Sequence, residues 1–173
     1  MNTHPSLTNV RSHLSDIFSR IQARAVRGSL WARLTSKDTR LEVFPEQAPE
    51  KSSNRRFIRS AEIPVEQIVG TLNRQADFDH KFRPLRSYLR DRWVNAYLAF
   101  EREGWAPILV HKVGDRYFVE DGHHRVSVAR SLGIAFIEAR VWEYPLQIKP
   151  SKKCQPMPCP EVGSATVYAG IAD

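Results

Sequence analysis

Hydrophobic residues near the start of the chain recur three and four positions apart, and this spacing predicts an amphipathic helix. The residues of the apolar stripe are Val10, Leu14, Ile17, Phe18, Ile21 and Ala25. Arg20, Arg24 and Arg27 share another face of the same helix. We expect the stripe to pack on the main domain or on a second copy of the chain in a homo-oligomer. The arginines form either a solvated face or, as the alternative, a contact with nucleic acid or phospholipid.

Between residues 56 and 145, the hydrophobic residues alternate between a spacing typical of strands and one typical of helices. Extended pieces interrupted by Pro64 come first, and an irregular segment at 70–84 follows. The next apolar stripe predicts a helix that ends at Gly104. Its members are Leu85, Leu89, Trp93, Tyr97 and Phe100. After this helix, the pattern predicts two strands joined by a tight turn, then a third helix and a last strand. The order of the domain is therefore β-α-β-β-α-β, which predicts a mixed α/β fold of the α+β class.

The segments on either side of this domain show weaker periodicity, which divides the chain into 1–55, 56–145 and 146–173. Residues 35–54 are polar and carry prolines, so we expect a linker between the first helix and the domain. The last segment contains Pro, Gly and Ser and is predicted to be an irregular tail.

Composition narrows the class of protein and its compartment. No apolar run approaches the roughly 18 residues of a membrane span, and the N-terminus lacks the basic-then-apolar pattern of a signal peptide. We therefore expect a soluble, cytoplasmic protein. Cys154 and Cys159 are its only cysteines, and no histidine lies near them to complete a zinc set. Free thiols are expected, with a disulfide or an intermolecular metal site as the alternative.

The net charge of +7 is concentrated at the N-terminus. Residues 1–60 contain 11 Lys and Arg against 5 Asp and Glu, whereas residues 61–147 contain 12 of each sign. If the protein contacts nucleic acid, the N-terminal helix is therefore the expected place, since the domain itself is neutral.

One junction in the domain combines a strand signal with a helix signal. Aromatic and β-branched residues at 116–120 predict a strand, and Val128, Ala129 and Leu132 follow one helical face until Gly133. The residues between these two elements therefore lie in the first turn of a helix that directly follows a strand.

This first turn gathers groups that attract an anion. Asp121 or Gly122 is the expected N-cap, and His123, His124 and Arg125 follow. Free backbone N–H groups and the positive end of the helix dipole favour a phosphate or carboxylate there. The alternative is a simple cap followed by solvated polar groups. A zinc site is disfavoured, because neighbouring helical residues point about 100° apart.

Three segments between Ile58 and Tyr144 resemble the ParB/sulfiredoxin superfamily, namely IPVEQIV, PILVHKVGDRYFVEDG and GHHRVSVARSLG running into IAFIEARV. In chromosome-partition members the corresponding motif is G-E-R-R, and its helix start holds the phosphates of a cytidine nucleotide. In sulfiredoxin it is G-C-H-R and engages ATP. Gly122, His124 and Arg125 match, but His123 replaces the reactive cysteine. The resemblance therefore implies the fold without sulfiredoxin chemistry.

The chain also resembles the free-serine kinases of this fold, which carry a loop of the type Asp-Gly-His-His-Arg. Residues 121–125 match this loop at all of its positions. Such phosphoryl transfer needs carboxylates that hold Mg²⁺ or accept a proton. Asp77 and Asp79 are the candidates, with Arg74 or Arg83 as a clamp on the phosphates of ATP, ADP or CTP. The alternative role for Asp77 and Asp79 is an Asx-type turn that stabilises a surface loop.

The sequence therefore predicts a nucleotide- or phosphate-binding domain that acts as a Mg²⁺-dependent phosphotransferase or NTPase, with His123 as a further catalytic candidate. No helix-turn-helix pattern follows the domain, which disfavours a sequence-specific DNA-binding partition or regulatory protein. A nuclease is the last alternative, because Asp77, Asp79, Glu120 and Asp121 could hold metal around a scissile phosphate.

Overall fold

The computed structural model describes residues 7–36, 38–45 and 56–144, apart from the side chains of Leu7 and Arg59. The helices in these ranges are α1 (Leu7–Leu34), α2 (Arg90–Glu103) and α3 (His123–Leu132). The strands are β1 (Glu42–Val43), β2 (Arg56–Pro64), β3 (Ile68–Thr71), β4 (Ile108–Val113), β5 (Arg116–Asp121) and β6 (Phe136–Tyr144). The predicted mixed α+β class is confirmed.

The strands form one mixed sheet in the order β1-β3-β5-β4-β6-β2. The hairpin of β4 and β5 is antiparallel, and β3 and β6 flank it in parallel. β2 closes one side antiparallel to β6, and β1 lies parallel to β3 at the other edge. Because β5 occupies the interior of the sheet, α3 begins above the centre of the fold rather than at a margin.

The opening of the domain contains two strands where the sequence pattern indicated short extended pieces. Pro64 ends β2, and a 3-10 turn at Val65–Gln67 leads into β3. The order within the domain is therefore β-β-α-β-β-α-β. Proline supplies no N–H for a ladder hydrogen bond, which explains why the extended run divides at this point.

Part of the segment assigned to the linker joins the sheet. Glu42 pairs with Gly70 and Val43 pairs with Thr71, while the side chains of Leu41 and Phe44 are buried. The two buried residues anchor a short edge strand that the polar composition of residues 35–54 conceals. Residues 46–55 and 145–173, including Cys154 and Cys159, lie outside the described residues.

α1 packs on the main domain through its apolar stripe. Leu14, Phe18 and Ala25 are buried, and the Phe18 ring meets the edge of the Trp93 ring on α2 at 6.0 Å between centroids. This contact confirms the first of the two packing partners expected for the helix. Of the helices in the described ranges, none combines the length and apolar character needed to cross a membrane.

Candidate functional site

α3 begins directly at the end of β5, and Gly122 makes this close junction feasible. Gly122 is the N-cap residue with φ 103° and ψ 16°, and no side chain caps the helix start. A Cβ atom at this position would collide with the side chain of Ile108 on β4. Glycine is therefore required both by the backbone conformation and by the approach of β4. The N–H groups of the first helical turn remain available to a ligand.

A pocket of about 420 Å³ opens at this helix start. Its walls come from the loop after β3, from α2, from the segment between α2 and β4, and from the first turn of α3. The lining residues are Arg74, Phe78, Arg92, Ala96, Ala99, Glu103, Gly104, Trp105, Ala106, Asp121, Gly122, His123, His124 and Arg125. The structure thus brings Arg74 and the whole 121–125 segment together around one pocket.

His123 is fixed by the interior of the protein. It is 7% exposed, its Nε2 lies 2.7 Å from the Thr71 hydroxyl, and its ring stacks on Phe78. The same hydroxyl accepts N–H groups from Asn73 and Arg74 at 3.2 and 3.1 Å. His123 therefore ties the helix start to the loop that carries Arg74. These contacts favour a positioning role over the catalytic role suggested by the sequence.

Both histidines are uncharged at neutral pH. Burial lowers the pKa of His123 to about 4, and the positive charge of Arg74 acts in the same direction. Burial also lowers the pKa of His124 to about 4, with help from Arg92 and Arg74. The buried Nδ1 of His124 has no hydrogen-bond partner among the described residues.

Arg125 holds the wall of the pocket together. Its Nη1 donates to the carbonyl groups of Ala106 and Pro107 at 2.6 and 3.1 Å, and its Nη2 donates to Asp121 Oδ2 at 2.6 Å. The guanidinium thus links the α2–β4 connection to the helix start. Asp121 remains 71% exposed in its side chain at the rim of the pocket.

Asp77 lies behind Arg74 and is already hydrogen-bonded. Arg74 Nη1 donates to Asp77 Oδ2 at 2.9 Å, and the Tyr88 hydroxyl donates to Asp77 Oδ1. Burial tends to raise the pKa of Asp77, but the hydrogen bonds from Tyr88 and Arg74 outweigh it, so the pKa lies below its usual value. Asp77 is absent from the pocket lining. It orients Arg74, which does line the pocket.

Asp79 belongs to a turn. It is 1% exposed, and its Oδ1 accepts the backbone N–H groups of Lys81 and Arg83 at 3.0 and 2.9 Å. Its Oδ2 accepts Nε and Nη2 of Arg83 at 2.7 and 2.6 Å. Both carboxylate oxygens therefore accept hydrogen bonds within the turn, which supports the Asx-turn alternative. Within the described ranges, no group of three or more His, Cys, Asp or Glu residues is arranged to hold a metal ion.

Replacing Asp79 with asparagine is therefore expected to destabilise the fold by about 2 kcal/mol, because charged hydrogen bonds are worth ~1.5–3 kcal/mol each. Urea unfolding at neutral pH measures the loss. Asp38→Asn is the matched control, since Asp38 also pairs with a nearby arginine but is largely exposed. Wild-type stability combined with lost ligand binding in Asp79→Asn would instead restore its role as a metal ligand.

The pocket contains residues that sequence reasoning did not identify. Arg92, Ala96, Ala99 and Glu103 line it from one stripe of α2, and Trp105 lines it just beyond the helix. Their spacing of four, three and four positions marks a second helical face, beside the one that carries the buried Trp93. This stripe of small and charged residues was the available signal for a helix face turned to a cleft.

The other candidate residues lie elsewhere. Arg20, Arg24 and Arg27 are exposed on α1, away from the pocket at the start of α3. Glu120 follows Phe118 on β5, on the face of the sheet that carries the smaller apolar cluster, and it contacts His111 Nε2 at 2.7 Å. Glu120 is therefore separated from Asp121, with which the nuclease alternative grouped it.

One solved structure of another protein is similar to part of this chain. No family model and no curated protein matches the chain. A crystal structure of sulfiredoxin from Arabidopsis thaliana is similar, with 22% sequence identity and a TM-score of 0.37. The similarity covers 49% of this chain and 84% of that chain.

Proposed function

We propose that this protein binds a phosphorylated ligand, in the first place a nucleotide such as ATP, ADP or CTP, in the pocket at the start of α3. The observation that carries the proposal is an uncapped helix start that opens into a pocket lined by Arg74, Arg92 and Arg125. Backbone N–H groups and the helix dipole attract an anion, and guanidinium groups match the geometry of a phosphate.

The arginines divide into those that meet the ligand and one that shapes the pocket. Arg92 forms no ion pair with another described residue, and Arg74 uses Nη1 for Asp77. Both therefore retain donors for phosphate oxygens. Arg125 already donates to two carbonyl groups and a carboxylate, so its main contribution is to hold the helix start in place.

The neutral histidines can add hydrogen bonds to a polyanionic ligand, whereas the arginines add charge. A neutral imidazole nitrogen donates or accepts one hydrogen bond according to its tautomer. The buried Nδ1 of His124 lacks a partner within the described part of the chain, so a ligand hydroxyl or phosphate that reached it would add a hydrogen bond. Charging this ring is unnecessary, because the nearby arginines supply the positive charge.

The pocket also has a surface for a base. Trp105 packs on Phe100 at 4.7 Å between ring centroids, and its Nε1 donates to the Ala96 carbonyl at 2.7 Å. The ring is thereby held in position at the pocket wall beside Ala96 and Ala99. Aromatic rings can stack on any of the nucleobases. The volume of about 420 Å³ lies within the usual range for small-ligand sites.

The second part of the proposed function is a phosphoryl transfer that depends on Mg²⁺. This ion is usually held by one or two carboxylates together with phosphate oxygens. Asp121 and Glu103 line the pocket and fit this requirement, because only Oδ2 of Asp121 accepts a hydrogen bond from another described residue. In Asp77 and Asp79, by contrast, both carboxylate oxygens accept protein hydrogen bonds. When bound, the ion would neutralise charge on the phosphates. Glu103 and Asp121 thus replace the pair suggested by the sequence.

Isothermal titration calorimetry of the full chain with ATP, ADP, CTP and inorganic phosphate tests the binding proposal, with and without Mg²⁺. Arg92→Ala is expected to weaken binding about tenfold or more, because a charge-assisted hydrogen bond contributes ~1.5–3 kcal/mol. Arg102→Ala on the same helix is the matched control, since Arg102 lies outside the pocket lining. Unchanged affinity in Arg92→Ala, or no binding of any of the four ligands, contradicts the proposal.

Release of phosphate from ATP or CTP in the presence of Mg²⁺ tests the chemical level separately. Turnover that depends on Mg²⁺ and falls in Asp121→Asn supports phosphoryl transfer. Binding without turnover, and without phosphorylation of any small hydroxyl compound, leaves a ligand-binding module. The DNA-binding and nuclease alternatives remain predictions from the sequence, since no contact in the described ranges favours them.

A further inference from the structure

A second and larger cavity lies on another side of the domain. This groove of about 1000 Å³ runs between α1 and the C-terminal end of α3, and it shares no lining residue with the pocket at the start of α3. The α1 wall is formed by one helical stripe, namely Ile17, Arg20, Ile21 and Arg24. The groove is therefore a feature that α1 creates by packing on the domain.

The floor of the groove is apolar. Ile17, Ile21, Tyr97 and Ile134 are only partly buried there, although they pack against the main core. Phe136 at the start of β6 also lines the groove and remains 57% exposed. A ligand with an apolar body would remove this surface from water, which is favourable at about 25 cal/mol per Å².

The rim of the groove is cationic. Five of its lining residues are arginine or lysine, whereas Glu66 is its single acidic residue. Arg20, Arg24 and Lys81 form no ion pair with any other residue that the structure describes. Their charge is left for solvent or for a bound anion.

Arg130 adds a fixed positive charge at the side of the groove. Its Nη1 donates to the His80 carbonyl at 3.1 Å, and its Nη2 donates to the carbonyls of Val65 and Ile68 at 3.2 and 2.7 Å. The guanidinium also lies 5.1 Å from the centroid of the Phe82 ring. Carbonyl groups orient this cation without neutralising it, since they carry no net charge.

We propose that the groove between α1 and the end of α3 binds a small organic anion with an apolar body, such as an aryl or alkyl carboxylate, sulfonate or phosphate monoester. The anionic group meets Arg20, Arg24 and Lys81, and the apolar body covers Ile17 and Ile21. Charge complementarity selects an anion, and the concave shape selects a small molecule over the extended backbone of a nucleic acid.

Arg20, Arg24 and Arg27 are exposed on α1 and differ in their position relative to the groove. Arg20 and Arg24 line the groove, whereas Arg27 lies outside it, one helical turn before the exposed Trp31. A nucleic-acid contact along the helix would use all three arginines alike. A groove ligand depends on Arg20 and Arg24 only.

Fluorescence titration of the full chain with 1-anilinonaphthalene-8-sulfonate tests this inference, with N-phenyl-1-naphthylamine as the uncharged counterpart. We expect saturable one-to-one binding of the sulfonate, weakened about tenfold in Arg24→Ala because one charge-assisted contact is lost. Arg27→Ala is the matched control and is expected to bind as the wild type does. Ala135→Trp, which places an indole into the groove from an exposed lining position, is expected to abolish binding.

Three outcomes overturn the inference. Equal weakening in Arg24→Ala and Arg27→Ala would place the probe on the outer face of α1. Equal affinity for the charged and uncharged probes would remove the role of the cations. Wild-type affinity in Ala135→Trp would place the probe outside the groove, and unfolding midpoints of each variant show whether the fold is retained.

Discussion

Replacing Gly122 with alanine is expected to reduce the free energy of unfolding by about 2–5 kcal/mol. Two costs add at this position. A side chain at φ 103° is strained, and the new Cβ atom would collide with Ile108, which is fully buried on β4. Urea unfolding measures the loss, and calorimetry with the nucleotide that binds the wild type tests whether the displaced helix start still binds phosphate.

Gly133→Ala is the matched control for this substitution. Gly133 ends the same helix with φ 70°, but no heavy atom lies within 4 Å of the position that its Cβ would occupy. Strain alone therefore acts there, at a cost of ~1 kcal/mol. Equal losses in the two variants would show that Ile108 does not restrict the junction, and an undiminished stability in Gly122→Ala would contradict the close approach of β4.

α3 and its boundaries were predictable because the signals are local. Glycines at 122 and 133 mark both ends, and the apolar residues between them follow one helical face. The two residues of β1 were not predictable in the same way. Their hydrogen-bond partners lie on β3, so a polar segment becomes a strand only when the domain supplies an edge.

The roles of the charged candidates depended on contacts that spacing does not encode. Asp77 and Asp79 are two positions apart in the sequence, yet one supports Arg74 at the pocket and the other closes a turn with Arg83. Arg92 was missed because its helix face becomes a pocket wall only where α3 approaches α2. Residue type and spacing identified the segment of the site, and tertiary packing assigned the role of each side chain.

Acidification from about pH 7.5 to about pH 5 is expected to destabilise the protein by several kcal/mol through His123 and His124. Their pKa values of about 4 in the folded state lie below the ordinary value of 6.5, chiefly because the rings are buried. The unfolded chain therefore takes up protons first as the pH falls. The stability that the neutral rings provide is complete above about pH 6.5 and is lost progressively between 6.5 and 4.

At about pH 5 the expected loss in the free energy of unfolding is about 2 kcal/mol for each histidine. The repulsion between the two protonated rings belongs to the pair and enters the total only once. Urea unfolding across this pH range measures it. His124→Asn should roughly halve the dependence, because an asparagine takes up no proton while His123 remains. His13→Asn, at an exposed position on α1, is the matched control. A wild-type stability that stays constant between these pH values would mean that His123 and His124 reach solvent while the fold is intact. The assignment of uncharged histidine rings to the phosphate pocket would then be incorrect.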